Sequence, residues 1–122
     1  MNKRETGIMG EKIACGFLEN NGYKIIETNY RCRNGEMDIV ARQRDTLVFI
    51  EVRTKKSYNF GTPEESITEK KKERLRIVAE QYQLDHTGLP KDWRIDLVAI
   101  QMNSNGKVCR VELIENAIED IS

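Results

Sequence analysis

The sequence is poor in the residues that build soft metal and redox sites. It has three cysteines in 122 residues, Cys15, Cys32 and Cys109, and no two of them form a C-x-x-C pair. That argues against a zinc ribbon or a dithiol centre. The thiols are expected to be reduced and mostly buried, as in a cytoplasmic protein. His86 is the one histidine, which argues against histidine-rich metal sites and against a Ser-His or Cys-His nucleophile pair. It is expected at the surface near a helix end. No apolar run approaches the roughly 20 residues of a membrane span. The opening stretch MNKRETGIMGEK has no apolar segment of the kind that a secretory signal needs. No glycine-rich loop ends in Lys-Ser/Thr, so nucleotide hydrolysis is not indicated. Charge of one sign is also lacking: 20 basic and 20 acidic residues cancel.

What is present is enough for one modest core in one domain, residues 1–122. Met9, Ile13, Ala14, Phe17 and Leu18 share one stripe at helical spacing, predicting a helix from Thr6 or Gly7 to Asn21 with Gly22 as its C-terminal cap. Tyr23–Asn29, EMDIVA and LVFIEVRT read as three strands. Thr62, Pro63 and Glu65 form a capping-box pattern. The helix it opens is predicted to reach about Leu84, with an interruption near Thr68. WRIDLVAI and VCRVELI are two more strands, joined at Asn105-Gly106, a hairpin signal. The order αβββαββ implies an α/β fold with a mixed five-stranded sheet flanked by helices. Trp93 is expected in the core or at a sheet edge, and Asp96 as a strand-edge charge.

The informative stretch is GEMDIVARQRDTLVFIEVRTKKS, Gly35 to Ser57. A turn centred between Arg44 and Asp45 sets Ile39 opposite Ile50, Ala41 opposite Val48 and Met37 opposite Val52, one apolar face. A slip of one residue would mix the faces. The other face then sets Asp38 opposite Glu51 and Glu36 opposite Arg53. Facing carboxylates, with Cβ atoms roughly 5 Å apart, repel. Either Glu36 pairs with Arg53 and Glu51 with another arginine on a solvated face, or a cation offsets the pair. Hard oxygen ligands suit magnesium or manganese.

These residues carry a resemblance. GIMGEKIACGFLENNGYKIIETNYRCRNGEMDIVA, LVFIEVRTKKSYNFGTPEESI, EKKKERL and WRIDLVAI fit, in order and over nearly the whole chain, the YraN-like family of small bacterial proteins. That family in turn resembles the Holliday-junction resolvases and the restriction-endonuclease-like, PD-(D/E)XK nucleases. The resemblance implies that Glu11, Asp38 and Glu51 hold Mg2+ or Mn2+ near a scissile phosphate, with Asp38 and Glu51 as the ligands. It also implies DNA as the partner, branched DNA among its forms, and a homodimer. Arg53 stands where the nuclease motif has lysine. An arginine is not deprotonated in proteins and prefers bidentate contact with carboxylate or phosphate, so Arg53 is expected to contact phosphate. Lys55, on the same strand face, is the alternative source of a lysine.

Arg31, Arg33, Lys55 and Lys56 flank the carboxylates in sequence, and Lys71 matches a recurring lysine of the family; all five are candidate nucleic-acid contacts. The run KKKER by itself reads as a solvated helix face. Tyr30 and Tyr58 are too few for a base-stacking platform. The leading expectation is a magnesium-dependent nuclease. A nucleic-acid-binding module of the same fold without chemistry stays open beside it, as does an adaptor for protein contacts.

Overall fold

Capping, rather than hydrophobic spacing, sets where the first helix begins. In the computed structural model, which describes residues 2–56 and 61–118, α1 runs Lys3–Asn20 and the Asn2 side chain accepts the Glu5 N–H at 2.8 Å. The apolar stripe predicts a start at Thr6 or Gly7; the cap stabilises one more polar turn before it. Gly22 ends the helix as expected. Its φ of 84° lets its own N–H reach Glu19 O and the Tyr23 N–H reach Leu18 O, the paired bonds of a Schellman end. Tyr58 lies outside the described residues.

β1 (Lys24–Cys32), β2 (Gly35–Gln43), β3 (Thr46–Lys55), β4 (Asp92–Met102) and β5 (Val108–Ile114) form a five-stranded sheet in sequence order. β3 and β4 run parallel, and the other neighbours antiparallel. A parallel pair needs a crossover, and α2 (Glu69–Asp85) lies within it. The predicted α/β class, mixed sheet and element order are all present.

The Thr62–Glu65 capping box forms, with Glu65 Oε1 accepting the Thr62 N–H at 2.9 Å and Thr62 Oγ1 accepting the Glu65 N–H at 3.3 Å. It closes a single 3-10 turn at Glu64–Ser66. Ile67 is extended and buried, and Thr68 caps α2 afresh. The predicted interruption is therefore real. The Gln43–Thr46 turn also forms as predicted, with Arg44 taking a φ of 53° in place of a glycine. At Asn105-Gly106 the loop is longer than a two-residue turn: the Asn103 N–H bonds to Lys107 O, and Gly106 takes the positive φ.

The helices cover opposite faces. Ala14 and Leu18 of α1 pack on Ile39, Ala41, Val48 and Ile50. Leu75, Val78, Ala79 and Tyr82 of α2 pack on Val40, Leu47, Phe49 and Ile95. Trp93 joins the second core by an edge contact to Phe49. His86 is half-buried at the end of α2, stacked on Tyr82 at 3.9 Å. No described helix is long and apolar enough to cross a membrane.

Several placements depart from the sequence reading. Met9 is exposed, and the buried line of α1 is Thr6, Gly10, Ala14 and Leu18. Small residues win because α1 runs close to β3: a Cβ on Gly10 would collide with Thr54 Oγ1. Cys109 is exposed on β5, and Cys15 and Cys32 are half-buried. Asp96 is fully buried in β4, not an edge charge; Arg94 Nε at 3.0 Å and the Asn116 N–H at 2.9 Å make this burial tolerable. Met37 belongs to the α2-side core with Tyr30, not beside Ile39 opposite Val52.

The close approach at Gly10 is testable. Gly10→Val should destabilise the protein by about 1–3 kcal/mol in urea unfolding, as overpacking does. Gly16 has nothing within 4 Å of a built Cβ, so Gly16→Ala should be neutral or gain about 0.5–1 kcal/mol from helix propensity. Equal effects would refute the contact.

Candidate active site

The reason for the misplaced Met37 is also the origin of the site. The β2–β3 ladder runs from Gln43↔Thr46 to Ile39↔Ile50. At the next residue Asp38 Oδ2 accepts the Val52 N–H at 2.8 Å, so a side chain takes over a bond of the backbone type. In β1, on the other side of β2, Thr28↔Ile39 and Tyr30↔Met37 pair, and Asn29 between them adopts a φ of 54°. A left-handed residue interrupts strand alternation. Residues beyond it change face, which moves Met37 and Tyr30 to the α2 side.

Asn29 does more than bend β1. Its Nδ2 donates to Glu11 Oε1 at 2.7 Å. Glu11 is positioned by α1, whose neighbouring Gly10 sits against Thr54. Burial raises the Glu11 pKa. The Asn29 hydrogen bond opposes that, and the charges of Asp38 and Glu36 reinforce it.

Glu51 is 4% exposed, so the solvated-face alternative fails at this residue. Its pKa is pushed up to about 8 by burial first, then by the Asp38 charge and a hydrogen bond between the two carboxyl side chains; Lys71 and Arg53 pull the other way. Both cations face one oxygen. Arg53 Nε lies 3.1 Å and Lys71 Nζ 3.8 Å from Glu51 Oε2. The Arg53 contact is an ion pair without hydrogen-bond alignment, and its Nε has no directed partner.

A cleft of about 760 Å³ opens beside these groups. Glu11, Glu36 and Asp38 line it, with Arg53, Lys55 and Lys56 from the end of β3 and Lys3 and Arg4 from the first turn of α1. Glu36 does not face Arg53 as an ion-pair partner: it holds Arg31 at 3.0 Å across β1 and β2. The structure thus gathers Glu11, Asp38, Glu51, Arg53 and Lys71, and puts Lys55 and Lys56 on the cleft wall. Arg31 reaches the cleft through Glu36, and Arg33 is exposed in the β1–β2 turn. Lys3, Arg4, Asn29 and Gly10 were not singled out by the sequence. Asn2, as an N-cap signal, was the available clue to the first two.

Among the described residues no group of three or more His, Cys, Asp or Glu side chains is arranged to hold a metal ion. The carboxyl pair Asp38 and Glu51 is nevertheless a hard-oxygen donor set of the size Mg2+ uses, since that ion commonly takes one or two carboxylates and completes its shell with water and substrate phosphate.

The model of the family described as "Uncharacterised protein family UPF0102" matches residues 10–100. The chain belongs to this family. UPF0102 proteins similar to it include those of Moorella thermoacetica, 46% identical over 118 residues with 96% of this chain and 98% of the relative covered, and of Caldicellulosiruptor saccharolyticus, 43% identical over 117 residues with 96% and 99% covered. That of Alkaliphilus oremlandii is 41% identical over 117 residues, with 96% and 99% covered. This is the YraN-like family to which the sequence motifs point. The UPF0102 match spans Glu11, Asp38, Glu51, Arg53 and Lys71, and leaves Lys3 and Arg4 outside it.

The carboxyl pair predicts a pH dependence in metal-free solution. Glu51 is raised from 4.5 to about 8 in the folded protein. The unfolded chain releases this proton as pH rises through the lower value, while the folded chain keeps it. Glu51 therefore lowers stability progressively across that window and no further above it. Relative to Glu51→Gln, the wild type should lose on the order of a few kcal/mol from pH 4.5 to 8, read by urea unfolding in EDTA. A pH-independent difference would contradict the assigned burial and pairing.

Proposed function

We propose that this UPF0102 protein is a magnesium- or manganese-dependent nuclease of restriction-endonuclease-like type that hydrolyses phosphodiesters in DNA. The observation that carries this reading is the buried Glu51 carboxyl, pressed against Asp38, which itself lines a cleft with basic walls. Burying two acids together is costly unless something relieves their repulsion, and a divalent cation does so. Asp38 and Glu51 are the ligands, and Glu11, steadied by Asn29, borders them.

In the reaction, a water oxygen bonds to phosphorus as the phosphorus–oxygen ester bond breaks. The water gives a proton to solvent, and the leaving oxygen takes one. The metal, when bound, supplies water activation and charge stabilisation at the phosphoryl oxygens. The protein supplies the rest. Arg53, ion-paired with Glu51, directs its planar guanidinium to phosphate. Lys3, Arg4, Lys55 and Lys56 track the backbone, with Arg31 and Arg33 at the periphery. Branched DNA is the substrate form and a homodimer the assembly that the resemblance favours, since a junction presents paired strands. A cytoplasmic location fits a nuclease of this kind.

A second reading is supported by Arg53 itself. With no lysine at that strand position, the same cleft would serve as a nucleic-acid-binding module without turnover. Labelled linear, flapped and four-way DNA with Mg2+ or Mn2+ separates the two. The nuclease reading expects metal-dependent cleavage that Asp38→Asn/Glu51→Gln reduces by at least about 10²-fold, the scale of losing a key charge-stabilising group. Salt-sensitive binding without cleavage would leave the module. Cleavage that survives in the double variant would refute the site.

A further inference from the structure

The run of lysines that opens α2 is not one uniform solvated face. Thr68 decides this. Its Oγ1 accepts the Lys71 N–H at 3.1 Å and its carbonyl accepts the Lys72 N–H at 3.0 Å. With Ile67 buried behind the cap, the rotational phase of the helix is set. Lys70 is exposed. Lys72 turns back to Glu69 at 3.2 Å. Lys71 is half-buried, with its ammonium 3.8 Å from Glu51 Oε2. That distance is within ion-pairing range and beyond a direct hydrogen bond. An ammonium and a carboxyl oxygen so placed can both hydrogen-bond to one water.

Arg53 and Lys71 differ in how they meet the same oxygen. Arg53 approaches through Nε, on the strand, and its side chain lines the cleft. Its remaining donors form a rigid planar fork suited to phosphate. Lys71 approaches from the helix and brings a compact point charge with three rotatable donors. Hydrolysis needs both kinds of group. The phosphate must be gripped, and the attacking water must be held while negative charge grows beside it.

We propose that Lys71 is a catalytic residue of this site, delivered from α2, whose ammonium holds the attacking water beside Glu51. It donates hydrogen bonds and transfers no proton. The bonds made and broken are those given above. The inference rests on the nuclease reading and assigns the amine that Arg53 does not provide to a residue on a different element.

The test uses the full chain with three variants: Lys71→Ala, Arg53→Lys and the two combined. Cleavage of labelled DNA is read beside Mn2+ affinity from electron paramagnetic resonance titration. Lys71→Ala should lower the cleavage rate about 10²–10³-fold, the loss seen when a preorganised donor is removed. Its Mn2+ affinity should be equal or higher, because a positive charge has left the ligands. Arg53→Lys in the Lys71→Ala background should recover at least roughly tenfold, since it returns an amine to the same oxygen. Wild-type cleavage by Lys71→Ala would overturn the proposal and leave the nuclease reading standing. Loss of Mn2+ binding together with cleavage, or no recovery with Arg53→Lys, would also overturn it, making Lys71 a structural support. A wild type that neither binds Mn2+ nor cuts would remove the nuclease reading and this inference together.

Discussion

One carboxylate stands in for strand pairing, and the rest of the site follows from it. Asp38 accepts the Val52 N–H at the point where the β2–β3 ladder stops. A side-chain acceptor satisfies the backbone donor, so β2 leaves β3 without orphaning it. The departure changes which face the preceding residues occupy, and it matches the left-handed Asn29 in the adjoining strand. It also leaves Asp38 against Glu51, in an arrangement that uniform pairing would penalise. The acid pair persists because the surroundings hold it. β3 is buried at its centre, α1 is seated against Thr54 through Gly10, and two cations lie on Glu51 Oε2. Local strain maintained by a well-packed frame is a common mark of a working site.

The cancelled net charge hides a local separation. The cleft has acids at its base, from Glu11, Glu36 and Asp38, and cations on its walls from two distant segments of chain, Lys3–Arg4 and Arg53–Lys56. Under the proposed reading, such a partition would steer a polyanion toward the acids rather than away from them. A chain with equal numbers of acidic and basic residues thus still carries a local cluster of cations along this cleft.

The sequence was legible where structure is local and periodic. The Gln43–Thr46 turn, the register through Ile39↔Ile50, the capping box at Thr62 and the interruption at Thr68 each have a short-range cause. Legibility failed where one strand's geometry depends on another. Period-two arithmetic assumes a uniform ladder, so it carried Met37 past the break that Asp38 makes. Asn29 reads as one more polar strand residue until Glu11 is seen to take its amide. Lys71 cannot be told from Lys70 and Lys72 until a cap fixes the helix phase. Asp96 alternates like an exposed residue, and only the position of Arg94 and the Asn116 N–H reveals that it is buried. The carboxylate pair was legible as two residues; its burial was not.

The central claim is that Glu51, buried against Asp38, keeps its proton near neutral pH in the metal-free protein, and that under the proposed reading a divalent cation displaces it. Calorimetric titration of Mn2+ at pH 7, in two buffers of different ionisation enthalpy, measures this directly. With Glu51 raised to about 8, binding should release about one proton per ion, and Glu51→Gln should abolish that release. Binding without proton release, or no binding to the wild type, would contradict the account.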